Sequence, residues 1–236
     1  MRIGLIGYGK MGQAIEAVAM KRGHTISFKS DSQHPFDAAD LARTDVAIEF
    51  TSPHSAVANV LKCIEQGIPV VTGSTGWFQR LDEVKAQVAA HGGTLFYGSN
   101  FSLGMNITFM LNNRLAELMN RFPDYEPAVE EIHHIHKKDS PSGTALTLAE
   151  EIIHQLDAKT GWAENEPSAN EILGIATHRI DEVPGTHHVS YTSSADRITL
   201  SHEAFNREGF ALGAILAAEF CRGKKGVFTM KNLIQP

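Results

Sequence analysis

Apolar and polar positions change rhythm once along this chain, near residue 103. Before that point short apolar runs alternate with longer stretches whose apolar residues recur every three to four positions. RIGLIGYG (2–9) reads as a buried strand breaking into a Gly-rich turn, and KMGQAIEAVAMKRG (10–23) as a helix closed by Gly23. HTISFKS, DVAIEFTSP (45–53), IPVVTGSTG (68–76) and GTLFYGSN (93–100) read as further strands, with helices over 54–67 and 78–92. Continuous apolar runs alternating with helices predict a parallel sheet covered on both faces. Ligands of such sheets lie beyond the C-terminal strand ends, here Phe50-Thr51, Gly73-Ser74-Thr75 and Ser99-Asn100-Phe101-Ser102.

After Asn100 the grammar differs. Residues 103–121 predict a helix with a core stripe at Ile107, Met110, Leu111, Leu115 and Leu118. PAVEEIHHIHK, EILGIATHRI, THHVSYTS and DRITLSHEAF then read as strands, with one helix near 144–160 and a mobile loop over 160–170. Successive strands with short connections predict an open, mixed or antiparallel sheet packed on helices. Alternation at Val189, Tyr191, Ile198 and Leu200 asks for a cover beyond the two local helices, so a homo-oligomer pairing these sheets is expected. Residues 207–236 return to a helix and a short apolar strand or turn, which are expected to pack back on the first domain. The expected organisation is a Rossmann-like α/β domain from 1–103 and 207–236, interrupted by an α+β domain from 104–206.

Composition narrows this picture. The chain has 236 residues, 42% hydrophobic and 20% charged, with a net charge of −6; that is a globular composition lacking the cationic surplus nucleic-acid binding needs. Any anionic ligand must therefore be met by local cations. Cys63 and Cys221 sit among apolar residues without a metal-ligand pattern and are expected to be buried and reduced. With no apolar leader after Met1 and no run long enough to span a bilayer, a cytoplasmic location is expected.

The chemistry concentrates in two places. Gly7, Gly9 and Gly12 form GxGxxG between a strand and a helix, where small residues let backbone N–H groups approach a pyrophosphate at a helix N-terminus. Tyr8, Lys10 and Met11 complete that loop. At the end of the second strand, Asp31 would suit the free ribose of NAD, whereas Lys29 and Ser30 could hold the 2′-phosphate of NADP. Both NADH and NADPH are therefore expected to be accepted.

The second place is EEIHHIHKKDSPSGT (130–144). If 129–137 is extended, Val129, Glu131, His133, Ile135 and Lys137 share one face, so two proton carriers point the same way. Ser140-Pro141-Ser142 signals a helix start. The N–H groups of Gly143 and Thr144, with the Ser142 and Thr144 hydroxyls, form a nest for a carboxylate. A small anion with more than one carboxylate is the expected substrate. A metal on His134 and His136, perhaps with His187 and His188, is disfavoured by the adjacent lysines and the lack of a carboxylate at ligand spacing, so none is expected. Acid catalysis complementing a hydride donor fits the residues best; a NAD(P)-responsive regulator and another oxidoreductase of small acids stay open.

The motifs EIHHIHKKDSPSGTA, GYGKMG (7–12), TGSTG (72–76), SNFSLGMN (99–106) and GVFTMKNLI together resemble the dihydrodipicolinate reductase family over most of the chain, in order. The resemblance implies NAD(P)H-dependent reduction of 4-hydroxy-tetrahydrodipicolinate in the diaminopimelate route to lysine, by a homotetramer joined through the second domain's sheets. It also implies His133 as proton donor or acceptor, Lys137 as companion catalytic cation, and His134, Gly143 and Thr144 as substrate ligands. Gly7 to Gly12, Gly73 to Thr75 and Ser99 to Ser102 would hold the cofactor. No role is implied for His136.

Overall fold

A computed structural model describes residues 1–235 and divides the chain into two compact units. The first comprises Met1–Leu103 and the segment from Arg207 onward; the second is Gly104–Asn206.

In the first unit, β1 (Arg2–Ile6), β2 (Thr25–Ser30), β3 (Val46–Glu49), β4 (Val70–Thr72) and β5 (Thr94–Tyr97) are joined by a last strand (Gly226–Phe228). All six are parallel, with that last strand outermost beside β5, then β4, β3, β1 and β2. The strands are short and apolar because both faces are covered; all four residues of β3 are buried. On one face α1 (Lys10–Lys21) packs through Ile15, Val18 and Ala19 with a C-terminal Ala-rich helix, Glu208–Phe220. That helix approaches closely because Gly213 has no side chain: a Cβ there would lie 1.7 Å from the Phe101 carbonyl oxygen. On the other face lie α3 (Pro53–Glu65) and α4 (Leu81–His91), preceded by the five-residue α2 (Ala38–Ala42), which periodicity does not reveal.

In the second unit, α5 (Leu103–Met119, its first residue in the first unit) precedes β6 (Glu126–His133), α6 (Gly143–Gln155), β7 (Gly161–Glu164), β8 (Ile172–Arg179), β9 (Thr186–Thr192) and β10 (Arg197–Glu203). The sheet order is β10-β9-β6-β8-β7; β9 is antiparallel to both neighbours, whereas β6, β8 and β7 run parallel. The sheet is thus mixed.

Four expectations change here. The 160–170 segment contains β7, whose backbone is satisfied along the β8 edge. The stripe predicted as core on α5 is largely outside: Ile107, Leu111 and Leu118 are exposed, and Met105, Thr108, Asn112, Ala116 and Met119 are buried instead. Small and amide side chains face inward because Asn112 Nδ2 donates to the Leu148 carbonyl (3.1 Å) and to Glu151 (2.9 Å) on α6. Val189 and Tyr191 already lie in a core with Leu148, Ala149 and Ile152 of α6, so they need no cover from another chain. Finally, β6 ends at His133. The backbone leaves the sheet in a turn, with Lys137 N–H donating to the His134 carbonyl (3.1 Å), so the alternation through Lys137 fails.

Candidate active site

The nucleotide loop of the first unit is shaped by its glycines. Gly7 takes φ +94°, a left-handed backbone, and donates its N–H to the Ser30 carbonyl (3.0 Å). A Cβ on Gly12 would stand 2.4 Å from the Gly7 oxygen. Gly9 is the N-cap of α1 and has no side chain to cap it; the first turn carries no acid. Such an open helix start, with Lys10 beside it, suits a pyrophosphate, so the loop fits the phosphate end of a dinucleotide.

Near the end of β2, Lys29 lies 2.7 Å from Glu16 of α1 and donates to the Tyr8 hydroxyl (3.1 Å), which itself donates to Glu16. The Lys29 and Tyr8 contacts hold the Glu16 carboxyl below its ordinary pKa. Ser30 is buried, and Asp31 caps its own loop through the N–H groups of Gln33 and His34.

At the strand ends the sequence reading missed a fully buried carboxylate, Glu49. It accepts from Thr51 N–H (3.0 Å), Thr72 Oγ1 (2.5 Å) and Ser74 Oγ (2.9 Å), so it ties the ends of β3 and β4 together. Ser74 is therefore a buried support for the rim, while Gly73 is half-buried against the Phe50 ring and Thr75 is exposed. Phe101 is also core, stacked edge-on to Phe50 at 5.6 Å; Ser99 is exposed, and Asn100 accepts from Ser102 N–H (2.8 Å).

In the second unit the sheet register assembles the other site. Glu131 pairs with His187 across β9, and His133 pairs with Arg179 across β8. Glu131 is completely buried. Its Oε1 accepts from the Ser142 N–H (3.0 Å) and from Arg179 Nη2 (3.3 Å), which also donates to the Asp139 carbonyl (2.7 Å). Its Oε2 lies 3.3 Å from His133 Nδ1 and 3.8 Å from His187 Nε2. Burial acts to raise the Glu131 pKa, but His133 and both the side chain and backbone of Ser142 outweigh it and hold the carboxyl at about 2. His187 meets the His133 ring edge-to-face at 5.0 Å; burial first, then the neighbouring His133, push it down to about 3, so it stays neutral.

Ser142 caps α6 by accepting from the Ala145 N–H (3.1 Å). As the N-cap, Ser142 accepts through its hydroxyl oxygen while its O–H remains a donor, and it presents Gly143 and Thr144 in the first turn of the helix. Lys137, in the turn, holds Asp139 at 2.8 and 2.9 Å, and its charge reaches His187. His134 is half-buried, while His136 pairs with Glu182 at the surface (3.1 Å). A carboxylate does join the histidines, contrary to the spacing argument, but in a different trio: Glu131, His133 and His187 place ligand atoms within 4.8 Å of one another. Alternation along β6 could have paired Glu131 with His133; only the register adds His187 and Arg179. Cys63 and Cys221 are free and buried, with burial pushing both thiols up to about 12.

Comparison with known proteins bears on both sites. The family model for the dihydrodipicolinate reductase N-terminus matches residues 1–101, and that for the C-terminus matches residues 104–234. A 4-hydroxy-tetrahydrodipicolinate reductase of Christiangramia forsetii is 44% identical over 234 residues, covering 99% of this chain and 98% of that one. One from Neisseria gonorrhoeae is 31% identical, covering 93% and 83%. Among solved structures, a dipicolinate-bound dihydrodipicolinate reductase from Paenisporosarcina sp. TG-14 shares the fold at TM-score 0.77 and 21% identity, covering 97% of each chain.

Proposed function

Because this chain belongs to the dihydrodipicolinate reductase family, we infer that its two sites divide one reaction between cofactor and substrate. The chain is an NAD(P)H-dependent oxidoreductase that reduces 4-hydroxy-tetrahydrodipicolinate to tetrahydrodipicolinate in the diaminopimelate route to lysine. One hydride and one proton are consumed and one water is released. The bound nicotinamide supplies the hydride. Gly7, Tyr8, Gly9, Lys10, Met11 and Gly12 hold the pyrophosphate end, with Gly73, Thr75, Ser99, Asn100 and Ser102 bordering the nicotinamide end. His133 or Lys137 protonates the carbon next to the one receiving hydride, and His134, Ser142, Gly143 and Thr144 hold the carboxylates. The observation carrying this reading is His133, a buried imidazole on an ionised Glu131, beside a capped helix start.

Both NADH and NADPH serve as reductant. Lys29 could meet a 2′-phosphate, but its pairing with Glu16 blunts that advantage. The protein acts as a cytoplasmic homotetramer joined through the sheet face away from α6, where Ala128, Glu130, His188 and Ser190 are half-buried and level with one another. Among the described residues, no helix is long and apolar enough to cross a membrane.

Oxidation of NADH and NADPH, followed by absorbance with freshly generated substrate, tests the activity. Neutral replacements His133→Asn and Lys137→Met are expected to lower turnover at least roughly a hundredfold with cofactor affinity nearly unchanged. Full activity in both variants refutes the site assignment.

A further inference from the structure

Glu131 is better placed than its capping role requires. One oxygen secures the turn before α6 through Ser142 and Arg179; the other has no hydrogen bond among the described residues and faces His133 Nδ1 at 3.3 Å, itself buried and otherwise unpartnered. The pair stands at ion-contact distance, just outside hydrogen-bond geometry. On the opposite edge of the ring, Gly185 leaves space: a Cβ there would lie 3.1 Å from His133 Nε2. The ring therefore faces the carboxylate with one nitrogen and, with the other, a stretch of backbone that carries no side chain.

We propose that Glu131 is a positioning residue that keeps the His133 proton on Nδ1, leaving Nε2 as the nitrogen that exchanges a proton with substrate. The proposal rests on the reading of His133 as proton donor. In the step, the Nε2–H bond of the imidazolium breaks, a C–H bond forms on the substrate, and the ring is left neutral with Nδ1–H still directed at Glu131. Water then restores the proton to Nε2. A carboxylate behind the ring fixes its orientation and its tautomer. His187 cannot take this part: it is neutral and touches the ring by its edge or face. Nor is the trio well suited to a dication, since the Arg179 guanidinium already sits on the same carboxylate. The same Glu131 side chain, through its first oxygen, fixes Ser142 and hence Gly143 and Thr144. Proton donor and carboxylate nest thus share one buried anchor.

Glu131→Gln separates the two duties. The amide oxygen can keep the contacts to Ser142 and Arg179, which turns the NH₂ group toward His133 Nδ1 and makes that nitrogen an acceptor, moving the ring proton to Nε2. Expected are a kcat at least roughly a hundredfold lower, a substrate KM within about threefold of the parent, and ¹⁵N signals of the His133 ring showing the inverted tautomer. Glu131→Ala should instead damage kcat and KM together. A Glu131→Gln enzyme with parental kcat, or one with low kcat but an unchanged His133 tautomer, overturns the proposal. If that variant does not fold, the unmodified protein still decides: a neutral His133 carrying its proton on Nε2 overturns the proposal, and one protonated on Nδ1 supports it. His133→Asn, assayed in parallel, separates the premises: parental turnover there refutes the proton-donor reading itself.

Discussion

Replacing Glu151 by Gln should stabilise the protein in alkaline buffer and leave it unchanged in acid. Glu151 sits on α6 facing α5, where burial raises its pKa from 4.5 to about 7, although the Asn112 hydrogen bond opposes the shift. Because the folded pKa lies above the unfolded one, folding takes up a proton. The neutral acid's contribution is complete below pH 4.5 and is lost as pH rises through about 7. A shift of this size corresponds to about 3 kcal/mol, and partial solvent access reduces the expected effect to about 2 kcal/mol. Gln keeps the shape and the acceptor for Asn112 but has no charge to bury. Urea unfolding of parent and variant, at equal protein concentration from about pH 4 to about pH 8, measures the difference. It should be near zero at the acid end, grow through neutrality and level off at about 2 kcal/mol, or about 4–8 °C in Tm. A difference that stays flat with pH would refute the argument, since a packing change alone does not titrate.

Two further outcomes concern the cofactor site. Gly12→Ala places a methyl 2.4 Å from the Gly7 oxygen and should weaken NADH binding at least about tenfold by fluorescence titration, with smaller loss of fold stability. Glu16→Gln releases Lys29 from its carboxylate partner. The kcat/KM ratio of NADPH to NADH should rise several-fold, on the order of an added phosphate contact, and an unchanged ratio would mean that Lys29 does not meet the 2′-phosphate.

The chemistry divides along the same line as the two sheets. A parallel sheet ends its strands on one edge, so Glu49 can bind the β3 and β4 ends into a single rim. The mixed sheet instead sets residues of three strands side by side at one depth, which is how Glu131, His187 and Arg179 surround one imidazole.

Local pattern was enough for the parts whose cause is local. The strand, Gly-rich turn and helix at residues 2–21 follow from apolar periodicity and from the φ +94° that only Gly7 accepts without strain. The start of α6 follows from Ser142 as its cap. The motif from Glu130 to Thr144 carried the resemblance through its residue types alone. What lay beyond reach depended on contacts distant in sequence. Periodicity assigns an apolar stripe to α5 but cannot say which face a partner prefers; the amide of Asn112, 36 residues from the Leu148 carbonyl it binds, turned that helix the other way. Alternation placed Lys137 beside His133, but the turn closed by Lys137 N–H on the His134 carbonyl (3.1 Å) ended the strand first. Alternation put Glu131 on the face of His133 but gave it no role. The contacts to His133 and Ser142, which the fold makes inside a buried site, left it ionised.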